Sequence, residues 1–180
     1  MEEFYRSKKT GLQNDKQKRK QMKGHNMKRS RLQIIRGLPG AGKTTLAIKI
    51  YPDIFKIEAD MFFTRGGKYT FIPELFKESN EWFFKTLTLA FKYNIDIVLT
   101  GVFPGHSTSR LPAVISMARD EDYDIYIHTL MSNYGNVHDV PAKQIDSMRN
   151  AFVPEEVLKS VYSNIKHVHF GLMPKTVPNK

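Results

Sequence analysis

The 180-residue sequence contains no cysteine, only one tryptophan and no apolar run long enough to cross a bilayer. The absence of cysteine excludes disulfides and thiolate metal sites, and it agrees with a reducing compartment. The first nine residues, MEEFYRSKK, lack the apolar segment of a secretory signal. We therefore expect a cytoplasmic protein with no membrane partner.

Acidic residues are scarce at the N-terminus. Residues 1–31 hold eleven Lys or Arg against three acidic residues, a net charge of +8, which leaves +2 for the rest of the chain. So polar a segment cannot bury a core, which predicts a basic, flexible leader over 1–31 and one compact domain over 32–180. The leader is a candidate for binding nucleic acid through phosphates. The alternatives are a solvated tail or an upstream extension of the reading frame, because Met22 and Met27 lie just before the first predicted strand.

The clearest motif lies between Leu32 and Ile50, which reads LQIIRGLPGAGKTTLAIKI. Its centre has a glycine, four further residues and then Gly-Lys-Thr, the pattern of a phosphate-binding loop (P-loop). An apolar run before the motif predicts a strand, and the run after it predicts a helix. The predicted nucleotide-binding residues are Gly37, Leu38, Pro39, Gly40, Ala41, Gly42, Lys43, Thr44 and Thr45.

Each residue type of the motif suits a triphosphate. The glycines allow turns in which successive N–H groups converge on phosphate oxygens, and the helix start adds further free N–H groups. The Lys43 ammonium is placed for the terminal phosphates, where one pair at about 4 Å is worth roughly 4 kcal/mol before desolvation. Thr44 offers its hydroxyl to Mg²⁺, and Thr45 follows it toward the α-phosphate. The alternative is a glycine-rich turn that binds nothing.

The remaining pattern predicts alternating strands and helices. The short strand at 54–57 delivers Asp60 to the carboxyl edge, where doubly wound sheets place their ligands. Further strands are predicted at 95–100, 123–130 and 166–172, helices at 73–93, 110–119 and 141–151 and from Pro154, and a glycine turn at 64–70. The chain is therefore predicted to be an α/β three-layer domain with a mostly parallel sheet.

With these pieces in place, the chain resembles the polynucleotide-kinase-like phosphotransferases of the P-loop class. The resemblance covers roughly residues 32–153, and it is carried by RGLPGAGKTTLA, EADMFF with its following turn, Glu81-Trp82 and NVHDVP. It implies a P-loop NTPase fold and transfer of the γ-phosphate of ATP to a hydroxyl, with Asp60 as the catalytic aspartate. A carboxylate there can orient the hydroxyl and accept its proton. The alternative is that Asp60 caps a helix or pairs with Lys43 or Arg65.

The sequence departs from this family at three places. The lid segment Asn133 to Val140 carries no arginine, with Gly135 and Asp139 where arginine is expected. Where the family has an Asp or Asn followed by Thr, this chain has Gly101-Val102. Phe63 occupies the position at which the family has a substrate-binding arginine. The arginines that could compensate are Arg65, Arg110, Arg119 and Arg149, and spacing does not select one of them.

The sequence therefore predicts an ATP- and Mg²⁺-binding kinase that acts on a hydroxyl of a nucleic acid or nucleotide, with Lys43 and Asp60 as its catalytic residues. A binding protein is the other hypothesis. It would keep ATP as a structural or switching ligand and engage nucleic acid or an acidic protein partner through the leader.

Overall fold

A computed structural model of the chain describes residues 29–135 and 140–169. The leader lies almost entirely outside the described residues, so the division into leader and domain stays a prediction. Among the described helices, none combines the length and apolar character that crossing a membrane requires.

The described chain forms seven strands and five α-helices. The strands are β1 (Arg31–Gly37), β2 (Phe55–Glu58), β3 (Thr64–Arg65), β4 (Lys68–Tyr69), β5 (Ile97–Gly101), β6 (Asp124–Leu130) and β7 (Lys166–His169). The helices are α1 (Lys43–Ile50), α2 (Phe76–Lys92), α3 (Arg110–Asp120), α4 (Ala142–Asn150) and α5 (Glu155–Val161), and Ala59–Phe63 and Pro73–Leu75 form 3₁₀ turns.

Five strands form one parallel sheet in the order β2-β5-β1-β6-β7. The central strand β1 pairs with β5 and β6, so that its last residue, Gly37, lies beside Leu130. Parallel neighbours require crossovers, and the intervening helices supply them. Strands β3 and β4 form a separate antiparallel hairpin with Gly66 and Gly67 at its turn, both with positive φ, as predicted from the glycine pair.

Alternate residues of β1 face two different cores. Leu32 and Ile34 pack into the larger cluster, to which α2, α3 and α5 contribute, while Ile35 packs into a smaller cluster under α1. Helices therefore cover both faces of the sheet, and the predicted α/β three-layer fold is confirmed. Trp82 is half-buried against the larger core, 6.1 Å from the ring of Phe62.

Two predicted elements start more than one residue later than expected. The α-helix begins at Phe76 rather than at Pro73, because residues 73–75 form a tighter 3₁₀ turn. The strand predicted from Ile95 begins at Ile97, because the amide of Ile95 still donates to the carbonyl of Ala90 at the end of α2.

The smaller core contains a buried polar group beneath α1. His128 is 1% exposed, and its Nε2 lies 2.6 Å from Oε1 of Gln33. The Tyr51 hydroxyl donates to the same oxygen at 3.2 Å. Burial lowers the pKa of His128 to about 4, so the imidazole is neutral at pH 7.

Candidate functional site

The P-loop connects the carboxyl end of β1 to the first turn of α1. Gly40 and Gly42 have φ of +76° and +85°, angles that residues with a side chain rarely adopt. The amide of Ala41 donates to the carbonyl of Leu38 at 3.1 Å and closes a turn inside the loop. The loop therefore has the backbone form for which its glycines were predicted.

Five amides at this turn donate to no described residue. They belong to Gly40, Gly42, Lys43, Thr44 and Thr45. Unpaired N–H groups at a helix start carry partial positive charge and suit an anion. The donor set fits the phosphates of a nucleotide.

The Lys43 ammonium lies within the loop. Its Nζ donates to the carbonyl of Leu38 at 2.9 Å. Burial lowers the pKa of Lys43, while the negative charges of Glu58 and Asp60 oppose that shift. The ammonium is therefore hydrogen-bonded to the loop, and the charges of Glu58 and Asp60 favour its protonated form.

A second segment packs on the P-loop, and the motif gave no signal of it. The amide of Tyr134 donates to the carbonyl of Gly40 at 2.9 Å. A Cβ added to Gly40 would lie 2.0 Å from the carbonyl oxygen of Gly135, and one added to Gly42 would lie 3.2 Å from the Tyr134 ring. Glycine at position 40 is thus required by close backbone approach as well as by its φ angle. The next residues of the predicted lid, 136–139 with Asp139, lie outside the described residues.

Glu58 provides a carboxylate beside the P-loop. It ends β2 opposite Thr100 of β5, and its Oε1 accepts a hydrogen bond from the Thr44 hydroxyl at 3.1 Å. The family that the sequence resembles has an Asp or Asn followed by Thr at the end of β5, where this chain has Gly101-Val102. The neighbouring strand places its own acid next to the predicted metal-binding hydroxyl.

A hydroxyl and one carboxylate fit a magnesium ion bound together with a nucleotide. Mg²⁺ is commonly held by one or two protein ligands, several waters and substrate phosphates. Within the described chain, no three His, Asp or Glu side chains cluster as a self-sufficient metal site. Thr44 and Glu58 are thus the residues placed to hold the ion.

Asp60 lies in the 3₁₀ turn after β2 and is exposed. Its carboxylate makes no hydrogen bond or ion pair with any described residue, so neither the capping nor the pairing alternative has structural support. Its charge nevertheless acts on its neighbours. Burial raises the pKa of Tyr69 and the Asp60 charge adds to that rise, while the same charge opposes the burial shifts of the Lys43 and Arg110 pKa values. Asp60 therefore favours the charged forms of two cations, and its own side chain is exposed.

A cavity of about 610 Å³ opens beside Asp60, at the carboxyl edge of the sheet. This volume is within the usual range for small-molecule sites. Its walls combine a few polar groups with aromatic and aliphatic side chains, among them Glu58, Asp60, Asn80, Arg110, Phe76, Phe84, Val102 and Phe103.

Of the four arginines left open by the sequence, the structure brings one to this cavity. Arg110, the first residue of α3, lines the same cavity as Asp60. Arg65 is exposed on the hairpin, Arg119 bonds to an asparagine near β7, and Arg149 pairs within α4. Phe63 is 7% exposed and packs against other rings, so it has a structural role where the family places an arginine.

Arg36 is a fully buried guanidinium immediately before the P-loop. Its Nη2 donates to the carbonyls of Pro104 and Val153, at 3.2 Å and 2.7 Å, and its guanidinium lies 3.8 Å from the centre of the Phe152 ring. Burial lowers the pKa of Arg36 to about 10, although the charge of Glu155 opposes the shift. This residue ties β1 to the loop after β5 and to the turn between α4 and α5.

No family model matches the chain. Among solved structures, a kinase-like protein from Chloroflexus aurantiacus is 14% identical, with a TM-score of 0.50 over 84% of this chain and 91% of that one. A chain of the PezAT toxin–antitoxin system of Streptococcus pneumoniae is 12% identical, with a TM-score of 0.45 over 67% of this chain and 55% of that one. A chain of a Pnkp1/Rnl/Hen1 complex is 17% identical, with a TM-score of 0.43 over 68% and 40%.

The chain spans about half the length of the last two structures or less. Identities this low concern the fold alone. The chain has an α/β P-loop kinase-like fold, as predicted. The roles of its site residues, and a polynucleotide-kinase-like specificity, stay predictions.

Proposed function

We propose that this protein is a kinase that transfers the γ-phosphoryl group of ATP to a hydroxyl of a nucleic acid or nucleotide. The observation that carries the proposal is that an anion-binding loop lies next to a carboxylate. Five amides without described partners and the Lys43 ammonium form the loop, and the Asp60 carboxylate borders the adjoining cavity. A donor site and an acceptor site thus lie at the same edge of the sheet.

The loop amides and Lys43 bind the triphosphate in this proposal. The amides act as fixed dipoles that need no rearrangement as charge develops. Thr44 and Glu58 would hold Mg²⁺, which neutralises charge on the phosphate oxygens when it is bound.

Asp60 orients the acceptor hydroxyl and takes its proton. The acceptor oxygen forms a bond to the γ-phosphorus, the bond from that phosphorus to the β–γ bridging oxygen breaks, and ADP leaves with the electron pair. The position of this carboxylate is what matters, because phosphoryl transfer depends mainly on positioning and charge stabilisation.

Two features support a nucleic-acid or nucleotide acceptor. Exposed Phe76 lies at the cavity, where a base can stack on its ring. The leader carries a net charge of +8, which attracts a polyanion. The second candidate function is an ATP-binding protein without turnover, and it is favoured by the lack of arginine in Asn133 to Val140.

Transfer of label from γ-labelled ATP to 5′-hydroxyl DNA, 5′-hydroxyl RNA and free nucleosides tests the proposal. We expect labelled product with at least one acceptor, and its loss in Lys43→Ala. The matched control is Lys49→Ala, an exposed lysine of the same helix, which should retain activity. Tight ATP binding with no transfer to any acceptor would establish the binding protein instead.

A further inference from the structure

The Arg110 guanidinium is held by contacts from α2. Its Nε donates to Oδ1 of Asn80 at 2.7 Å. Its Cζ lies 5.7 Å from the ring centre of Phe76 and 5.3 Å from that of Phe83, within the range of cation–π attraction. A long side chain fixed in this way has already lost much of the rotamer freedom that binding would otherwise remove.

The outer nitrogens of this guanidinium are available. Neither Nη1 nor Nη2 donates to a described residue, and Arg110 forms no ion pair within the described chain. The side chain is half-buried and lines the 610 Å³ cavity. Each Nη carries N–H donors in a planar fork, which matches the two oxygens of a phosphate or carboxylate.

The surroundings of Arg110 strengthen its attraction for an anion. Burial lowers its pKa, which indicates a partly desolvated charge, and the nearby Asp60 charge opposes that shift without reaching ion-pair distance. Asp60 and Arg110 line the same cavity, so one ligand bound there can meet both side chains. Aromatic Phe84 and Phe103 also line this cavity.

We propose that Arg110 binds an oxyanion of the acceptor while the acceptor's hydroxyl faces Asp60. The acceptor class is therefore a hydroxyl compound that also carries a phosphate or carboxylate, and neutral alcohols are poor substrates. This inference rests on the proposed kinase function.

Binding measured without nucleotide tests the inference separately from catalysis. Isothermal titration calorimetry would compare a 5′-hydroxyl dinucleotide with its free nucleoside, and a sugar acid with its parent sugar. A hydrogen bond to a charged group contributes enough that we expect about a 10- to 100-fold preference for the charged member of at least one pair. The pair that shows the preference distinguishes a phosphate from a carboxylate source.

Arg110→Gln should remove that preference, and Arg65→Gln is the matched control because Arg65 is exposed on the hairpin. Arg110→Lys keeps the positive charge but loses the planar pair of N–H donors, so its preference for the charged ligand should be intermediate. This variant keeps the test valid if Arg110→Gln folds poorly. Wild-type protein that binds charged and neutral members equally would overturn the inference. A preference that survives in Arg110→Gln would also overturn it.

Steady-state kinetics distinguish the two proposals. Arg110→Gln should raise KM for the charged acceptor by about 10-fold or more and leave KM for ATP unchanged. A variant that lowers kcat alone would contradict the binding role. If calorimetry shows the Arg110-dependent preference but no acceptor is phosphorylated, the kinase proposal fails and the oxyanion site stands.

Discussion

The two halves of the proposed site, one for the phosphate donor and one for the acceptor, are built in different ways. The donor half consists of nine consecutive residues, Gly37 to Thr45, and its binding groups are mainly backbone amides. The acceptor half gathers side chains from four places: the turn after β2, α2, the loop after β5 and the start of α3. Backbone amides are present whatever the side chains are, whereas a side-chain site changes with each substitution.

This difference predicts different tolerances. In the donor half the constraint is on shape, because Gly40 and Gly42 allow the chain to turn and to meet residues 134–135. In the acceptor half the constraint is on chemistry, because the roles that we propose for Asp60 and Arg110 depend on charge. The same fold can therefore keep its nucleotide site while its acceptor changes.

The largest expected effect is in the acceptor half. Asp60→Asn preserves shape but removes the proton acceptor, so kcat should fall by about 100- to 10,000-fold while ATP affinity is retained. Asp53→Asn, at an exposed turn, is the matched control. Stopped-flow or label-transfer kinetics with separate ATP binding measure both quantities, and unchanged turnover would exclude Asp60 as the base.

A shape change in the donor half comes next. Gly40→Ala imposes a strained φ and a collision with the Gly135 carbonyl, and strain of about 1–3 kcal/mol corresponds to roughly 10- to 100-fold weaker ATP binding. Gly66→Ala also places an alanine at a positive φ, but a Cβ there has open space around it. Comparison of the two variants therefore separates the effect of the collision from that of the φ angle. Equal ATP affinity of the two variants would show that the close approach is unimportant.

The third prediction concerns the small core beneath the donor half. The pKa of His128 is about 4 in the folded chain, against an ordinary value of 6.5. Between these pH values the imidazole is protonated in the unfolded chain and neutral in the folded chain. Stability should therefore be full above pH 6.5 and should fall as the pH drops toward 4. At 1.36 kcal/mol per pKa unit, the loss from pH 7 to pH 5 is about 2 kcal/mol.

Urea unfolding at pH 7 and pH 5 measures this loss. The variant His128→Gln should lack it, so its free energy of unfolding should decline less between the two pH values than that of the wild type. Parallel declines would assign the pH dependence to other groups.

The smallest effect is expected where the two halves meet. Glu58→Gln can still accept the Thr44 hydrogen bond but loses its charge, so the gain in ATP affinity from Mg²⁺ should shrink by about 10-fold. ATP affinity in EDTA should be unchanged, which separates the metal from the loop. Glu74→Gln, an exposed acid, is the control, and a wild-type magnesium response in Glu58→Gln would remove Glu58 from the metal site.

The sequence predicted the fold and the backbone form of the P-loop because both depend on local order. The strand, loop and helix around Gly37 to Lys43 are continuous in sequence. The apolar pattern located the other four strands of the parallel sheet. The acceptor half was only partly predictable. Asp60 stood out at a strand end, but Arg110 could not be chosen from four arginines because its distinction is a contact with Asn80, thirty residues away.

Other features had no sequence signal of their own. The approach of Gly135 to Gly40 joins residues 95 positions apart, and Glu58 meets Thr44 only because strand order places β2 two strands from β1. Such pairings depend on how strands are arranged in space. Periodicity along one segment does not specify that arrangement.

The buried Arg36 links two loops, the one after β5 and the one between α4 and α5, so that they have to be exchanged together. Since a single guanidinium binds carbonyls of Pro104 and Val153, the loop that shapes the cavity cannot be exchanged alone without stranding a desolvated cation. A chimera intended to import a new acceptor preference must transplant residues 102–109 together with 151–154, or else replace Arg36 by an apolar side chain.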